Sequence, residues 1–352
     1  MKARITLKTK MLLSRRRDGP LHRGLLYLGV DGGGTRTTAW VADGRGRVLG
    51  RAVAGPSNPV KVGLPAAERE ILAAARQASA KAGRSKLEAV CLGLAGGDRP
   101  EVARPLAAWL RKRLPARFHL VTTDAALALE AAGRSPGVVV IAGTGSIACA
   151  HDAQGRMIRA GGWGSTFDDA GSGFDLGRQA VRAALRAFDG RGPRTRLGKA
   201  ITGALGIGEI TEIAGLGLAT CEIAALAPPV VTAAGSGDVV ARSILDGAGR
   251  DLAELALALV RRLGSGDEAI RVVCAGGLFQ ASTALRRSFA RHLRGQVPRV
   301  RVSTLRHEPI EGALALARRE AQVAIDKLEC SAEPIPPKAF RRDIITRKRR
   351  KA

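Results

Sequence analysis

A strand running into a glycine turn and out again as a strand occurs twice in this chain, once near residue 30 and once near residue 140. That recurrence constrains the fold more than any bulk property. The first copy reads LLYLGVD, GGGT, RTTAWVAD, then a turn at Gly44 to Gly46 and RVLGRAV. The second reads GVVVIAGTGSIACAHD, a turn at Gln154-Gly155, and MIRAGGW. Each is a β-meander by its β-rich runs and turn residues. Helical spacing follows the first copy from Pro65 to Ala82 and from about Val102 to Arg113, and dominates from Asp175 to Leu263. Two like units, each a sheet with helices, imply two lobes facing each other across a cleft.

Glycine turns of this kind bind phosphate in several unrelated ways, and the flanking residues separate them. A P-loop or a dinucleotide fingerprint needs a helix directly after the turn, so that the helix N-terminus holds the phosphate. Here Gly32-Gly33-Gly34-Thr35 runs into TTAWVAD, and position 37 is Thr where the fingerprint requires its third glycine. The remaining device is a hairpin whose tip presents backbone N–H groups, with small residues so that the main chain reaches the phosphate oxygens.

Composition narrows the function classes. The 352 residues are 45% hydrophobic, enough for two domains or one bilobal unit. Five widely spaced cysteines without a Cys-x-x-Cys indicate neither a disulfide framework nor a metal cluster. No apolar run reaches a membrane-spanning length and Met1 to Arg23 lacks a signal-peptide pattern, so a cytoplasmic protein with no membrane association is expected. The formal charge of +26 invites nucleic acid. Much of it sits in terminal arms (Arg15, Arg16, Arg17; Arg347, Lys348, Arg349, Arg350), and with 3% aromatics there is little to stack on bases, which argues for solvated tails.

Five segments in order, LGVDGGGTRTTAWVAD, TTDAA, VIAGTGS, GGWG with DDAGS, and VVCAGGLF, resemble the N-acetylglucosamine kinase and BadF/BadG/BcrA/BcrD ATPase family over roughly residues 26 to 320. The resemblance implies an α/β, two-lobed actin-like ATPase fold, ribonuclease H-like and hexokinase-like, each lobe a mixed sheet flanked by helices. It further implies ATP and Mg²⁺ as cofactors, a sugar as substrate and a homodimer. The expected organisation is a basic arm over 1–23, an N-terminal lobe over 24–134, a C-terminal lobe over 135–308, a helix over 309–330 packing back on the first lobe, and a basic tail over 331–352.

Residue roles follow from matching this sequence to the family. Asp31, ending the first strand, is expected to position hydrated Mg²⁺ while Gly33, Gly34 and Thr35 cradle phosphate. Asp124 in TTDAA corresponds to the catalytic base that also contacts the acceptor hydroxyl; its competing reading is a simple helix cap. Gly143, Thr144, Gly145 and Ser146 face the first hairpin, and Gly276, Gly277 and Ala224 approach the nucleotide. Asn58, Gly162, Trp163 and Asp169 match sugar-binding positions, an indole face against a sugar ring being sensible chemistry. Where the family reads GWGHxxGDEGS, this chain has Ser165, Asp168 and Ala170 in place of the His, one Gly and the Glu. An amino-sugar kinase is the leading expectation. An activator ATPase acting on a protein, which lacks its cluster-bridging cysteines here, and a non-catalytic sugar or nucleotide sensor stay open.

Overall fold

The computed structural model describes residues 24–83, 86–133, 137–264 and 269–331, the last helix by its backbone alone beyond residue 323. The two basic arms, Ser331 excepted, and Ser135 and Pro136 of the expected inter-lobe turn lie outside the described residues.

Two five-stranded sheets carry the fold. The first contains β1 (Leu26–Gly32), β2 (Thr37–Asp43), β3 (Val48–Ala54), β4 (Leu87–Leu94) and β5 (Ala116–Thr122), in the order β3-β2-β1-β4-β5. The second contains β6 (Gly137–Ala142), β7 (Ser146–His151), β8 (Met157–Gly161), β9 (Arg271–Ala275) and β10 (Arg301–Thr304), in the order β10-β9-β6-β7-β8. Read from the other edge, the second order repeats the first. In each sheet the meander pairs antiparallel and the remaining two strands join in parallel. The two meanders therefore build two lobes of one topology.

Both faces of the first sheet are covered, so its central strands are apolar throughout. Leu28, Val30 and Val41 point towards α2 (Leu64–Lys81) and α3 (Pro100–Arg113), meeting Ile71, Ala75, Leu106 and Leu110. Tyr27, Trp40 and Cys91 point the other way, onto Leu127 of α4 (Asp124–Ala131) and onto Ile310, Ala313 and Leu314 of the C-terminal helix. A four-residue helix α1 (Pro59–Val62) precedes α2. In the second lobe a helical block stands between β8 and β9. It comprises α5 (Gly173–Phe188), α6 (Leu197–Leu205), a 3-10 turn at Ile210–Gly215, α7 (Thr220–Ala224), α8 (Ala227–Gly235) and α9 (Val239–Leu263). After β9 come α10 (Gly277–Ala281) and α11 (Thr283–Gln296), and after β10 the chain returns through α12 (Pro309–Ser331). Among the described residues no single helix is long and apolar enough to cross a membrane.

Helix α4 touches both sheets. Leu127 belongs to the first lobe's apolar cluster, while Ala125, Ala128 and Leu129 pack with Val139, Cys149, Val273 and Ala275 of the second sheet. Helix α12 crosses α4 at Gly312, where a Cβ would lie 2.0 Å from the Leu127 carbonyl oxygen. Arg319 Nη1 donates to Glu130 Oε2 at 2.6 Å across the same crossing, with the Glu130 side chain only 9% exposed. Gly312→Ala is expected to force the helices apart and destabilise the protein by about 1–3 kcal/mol. Urea denaturation measures it, and an unchanged midpoint contradicts the close crossing.

Candidate active site

The first glycine hairpin connects β1 to β2. The Gly33 amide donates to the Arg36 carbonyl at 2.9 Å and closes the turn, which leaves Gly34 and Thr35 exposed at the tip, their amides without an acceptor among the described residues. The Gly33 carbonyl accepts from the amides of Ser57 and Asn58 at 3.0 and 3.2 Å. Thr37 Oγ1 donates to the Gly55 carbonyl and lies 2.7 Å from Ser57 Oγ, both side chains buried. The segment carrying Asn58 is thereby fastened to the hairpin. Asn58 is the N-cap of α1, its Oδ1 accepting from the Val60 amide at 3.0 Å.

Asp31 is the penultimate residue of β1, and Asp124 is the first residue of α4. The helix cap is Thr123, whose hydroxyl accepts from the Ala126 amide at 3.1 Å, so Asp124 is released from the capping duty that its position allowed. Its carboxylate accepts instead from its neighbour Ala125 at 2.9 Å. Asp124 is open to the cleft yet ringed by protein. Burial pushes its carboxyl above the ordinary carboxylate range, the Ala125 amide opposing and the Asp98 charge adding to the shift. Asp31 is pushed up to about 6, by burial first and then by the negative charge of Asp124, with Arg36 opposing and Glu308 adding. The Asp124 charge thus raises the affinity of Asp31 for its proton.

The second hairpin joins β6 to β7, closed by the Gly143 amide on the Gly145 carbonyl at 2.9 Å. The start of α5 docks on it: Gly173 donates to Gly143 at 2.8 Å and Phe174 to Thr144 at 3.2 Å. Ala224, ending α7, stands against Gly173, where a Cβ would meet the Ala224 carbonyl at 3.4 Å. Gly276 has φ +94°, and a Cβ there would lie 2.3 Å from the Ala142 carbonyl oxygen, so only glycine lets this turn close on the hairpin. Gly143 to Ser146, Ala224 and Gly276-Gly277, scattered through the sequence, thus form one neighbourhood.

Asp169 also belongs there. Its Oδ1 accepts from the Ser146 amide at 3.1 Å, and Ser146 Oγ donates to the Ala170 carbonyl at 2.8 Å. Asp169 is buried and, among the described residues, the one non-glycine with positive φ, +64°, a conformation Asp tolerates better than most side chains. Burial raises its carboxyl, the Ser146 amide opposing. Trp163 stands out from the second lobe because Gly161, Gly162 and Gly164 on either side all take left-handed φ. The Arg159 guanidinium covers one indole face at 4.3 Å, and with Trp163 63% exposed the rest of the ring is open to solvent. Phe167, in the altered loop, is 88% exposed.

The site residues therefore fall into two groups. Asp31, Gly33 to Thr35, Asn58 and Asp124 gather on the first lobe and on the helix wedged between the lobes; Gly143 to Ser146, Gly162, Trp163, Asp169, Ala224, Gly276 and Gly277 belong to the second. No hydrogen bond among the described residues joins Asn58 to Trp163 or Asp169. Asp98, Glu308 and Lys61 were not anticipated. Asp98 directly follows the Gly96-Gly97 turn, and Glu308 directly precedes the proline that opens α12, positions where chain reversals bring acids back to the cleft.

The sequence profile of the BadF/BadG/BcrA/BcrD ATPase family matches residues 28–317. An N-acetylmuramic acid/N-acetylglucosamine kinase from Clostridium acetobutylicum is 33% identical over 300 residues, 83% of this chain and 98% of its own. A structure assigned as an N-acetylglucosamine kinase from Chromobacterium violaceum is 30% identical and superposes with a TM-score of 0.69, covering 83% of this chain and 99% of that one. A ROK-family glucokinase from Streptomyces griseus, solved with glucose and AMPPNP, shares the fold at a TM-score of 0.54 and 22% identity, over 84% of this chain and 99% of its own.

A carboxyl that holds its proton more tightly in the folded state destabilises the fold once ionised. For Asp31 that cost is absent below the ordinary value of 3.8 and complete above about 6. Asp31→Asn is therefore expected to resist urea better than the wild type at about pH 7.5, with the gap narrowing as pH falls through about 6. A variant less stable than wild type at neutral pH contradicts the strained acid pair.

Proposed function

The chain belongs to the BadF/BadG/BcrA/BcrD ATPase family, and we infer from that membership and from the cleft's chemistry that it is a kinase transferring phosphate from ATP to an amino sugar. The observation that carries this reading is Asp124, relieved of capping by Thr123 and open to a cleft that has a phosphate hairpin on either side. The two-lobed fold is that of sugar kinases.

In the proposed reaction the triphosphate lies between the hairpins. The amides of Gly34 and Thr35 hold its terminal part, and Gly143 to Ser146 hold the other side, with Gly276, Gly277 and Ala224 against the adenosine. The acceptor hydroxyl gives its proton to Asp124 as its oxygen bonds to the γ-phosphorus, and the bond from that phosphorus to the β–γ bridging oxygen breaks, the electron pair leaving on ADP. Asp31, a single hard oxygen donor beside the negative charges of Asp124 and Glu308 and the positive charge of Arg36, is the residue that would hold a hydrated Mg²⁺; no cluster of three acidic, His or Cys side chains stands ready for a metal among the described residues. Bound there, Mg²⁺ would supply charge neutralisation for the β- and γ-oxygens.

The acceptor is N-acetylglucosamine or a related amino sugar. Asn58, Gly162, Trp163 and Asp169 are its proposed contacts, with the open part of the Trp163 ring against the sugar. Asp169 would act with its remaining oxygen, since Oδ1 already holds the Ser146 amide. Ser165, Asp168 and Ala170 replace the loop residues usual in the family, and they make substrate choice the property most open to change.

Incubating the protein and Mg-ATP with N-acetylglucosamine, glucosamine, N-acetylmuramic acid and glucose should show ADP release accelerated by an amino sugar. No acceleration by any of them overturns the reading. Asp124→Asn should lower turnover by at least about 10²-fold while AMPPNP still binds. Because Asp124 acts ionised and its carboxyl is raised, the wild-type rate should fall as pH drops, with a midpoint above the ordinary 3.8.

A further inference from the structure

Lys61 lies outside every motif of the chain, yet its side chain crosses the tip of the first hairpin. Its Nζ stands 3.1 Å, and its Cδ and Cε 3.6 Å, from where a Cβ on Gly34 would be. Among the described residues the ammonium has no hydrogen bond or ion pair. Its position does not depend on the side chain's freedom alone. The backbone of α1 is tied to the hairpin through the Ser57 and Asn58 amides on the Gly33 carbonyl, and the Asn58 cap fixes the helix start. Lys61 sits three residues beyond Asn58, a spacing that makes the two neighbours on a helical turn.

We propose that Lys61 is the cation that grips the γ-phosphate of ATP where the first hairpin meets the acceptor site. The proposal rests on the reading of the cleft as an ATP site. Its direction comes from the layout: the adenosine turn at Gly276 closes on the second hairpin, so the triphosphate runs from there towards the first, and its terminal phosphoryl is the part nearest Gly34 and Asn58. The charge balance calls for such a group. Asp31, Asp124, Asp98 and Glu308 already make the cleft acidic, and a triphosphate adds more negative charge than Mg²⁺ and Arg36 offset. A lysine ammonium is a compact charge with three donors, suited to the equatorial oxygens of a phosphoryl in flight. The acceptor's proton passes to Asp124, so Lys61 takes no part in the proton transfer. The missing side chain at Gly34 is what leaves room for its stem.

Calorimetry of the wild type, Lys61→Met and Lys61→Arg with Mg-AMPPNP and with Mg-ADP tests this. Lys61→Met should weaken AMPPNP by about 10-fold and leave ADP within about twofold, the unchanged ADP affinity also showing that the fold is intact. With the amino sugar as acceptor its kcat should drop by about 10²-fold and the sugar KM should change little, Lys61→Arg recovering part of both losses. Equal AMPPNP affinity in wild type and Lys61→Met overturns the proposal, as does a parallel loss for ADP. A wild type that turns over no sugar sinks the kinase reading alone, because the AMPPNP and ADP contrast still judges Lys61; a wild type that binds neither nucleotide overturns both.

Discussion

Helix α4 is held by both sheets at once, Leu127 in the apolar layer of the first and Ala125, Ala128 and Leu129 in that of the second. Its eight residues carry Asp124 at their start, so the position of that carboxylate is set by two hydrophobic contacts on opposite sides. Small side chains make this possible. Alanines facing the second sheet and Gly312 beneath Leu127 allow approaches that larger residues would block. The Arg319 to Glu130 pair then fixes the far end of the helix to α12. Motion of one lobe against the other must pivot on this packing, since the chain crosses between lobes only after α4 and after β10.

The cleft is electrostatically costly by design of its chemistry. Burial raises both Asp31 and Asp124; the charges of Asp124 and Glu308 add to the shift of Asp31, and that of Asp98 to the shift of Asp124. Arg36 already offsets part of that strain, and cations arriving with a nucleotide would relieve more of it. Stability and ligand binding are thus linked through the same carboxylates.

The hairpins, their order and the repeated meander are legible in the sequence because their signals are local: alternating apolar residues, then glycines at fixed offsets. Asp124 was singled out by resemblance as a candidate base, but Thr123 as the helix cap was decided by which hydroxyl reached the Ala126 amide. Helix α1 has four residues, two of them valine, too short for any periodicity, although Asn58 followed by Pro59 is a proper helix start. Asp169 was matched to the sugar, whereas its nearer partner in the folded chain is the Ser146 amide. Glu308 and Lys61 gain their meaning from tertiary proximity alone. Gly312, set inside an otherwise Ala- and Leu-rich helical run, was the visible trace of a close crossing.

The shared strand order of the lobes has a consequence for polarity. A duplicated backbone offers two like cradles, and by itself would accept a triphosphate in either direction. The duplication is broken at the strand ends: β1 closes with Asp31, β6 with the neutral Ile141 and Ala142. The turns after the parallel neighbours differ likewise, Ala95-Gly96-Gly97 leading to Asp98 and Arg99, Ala275-Gly276-Gly277 to Leu278 and Phe279. One half ends in acids, the other in apolar side chains. In the proposed reaction, direction of transfer is written in the divergence of the two copies rather than in the fold they share.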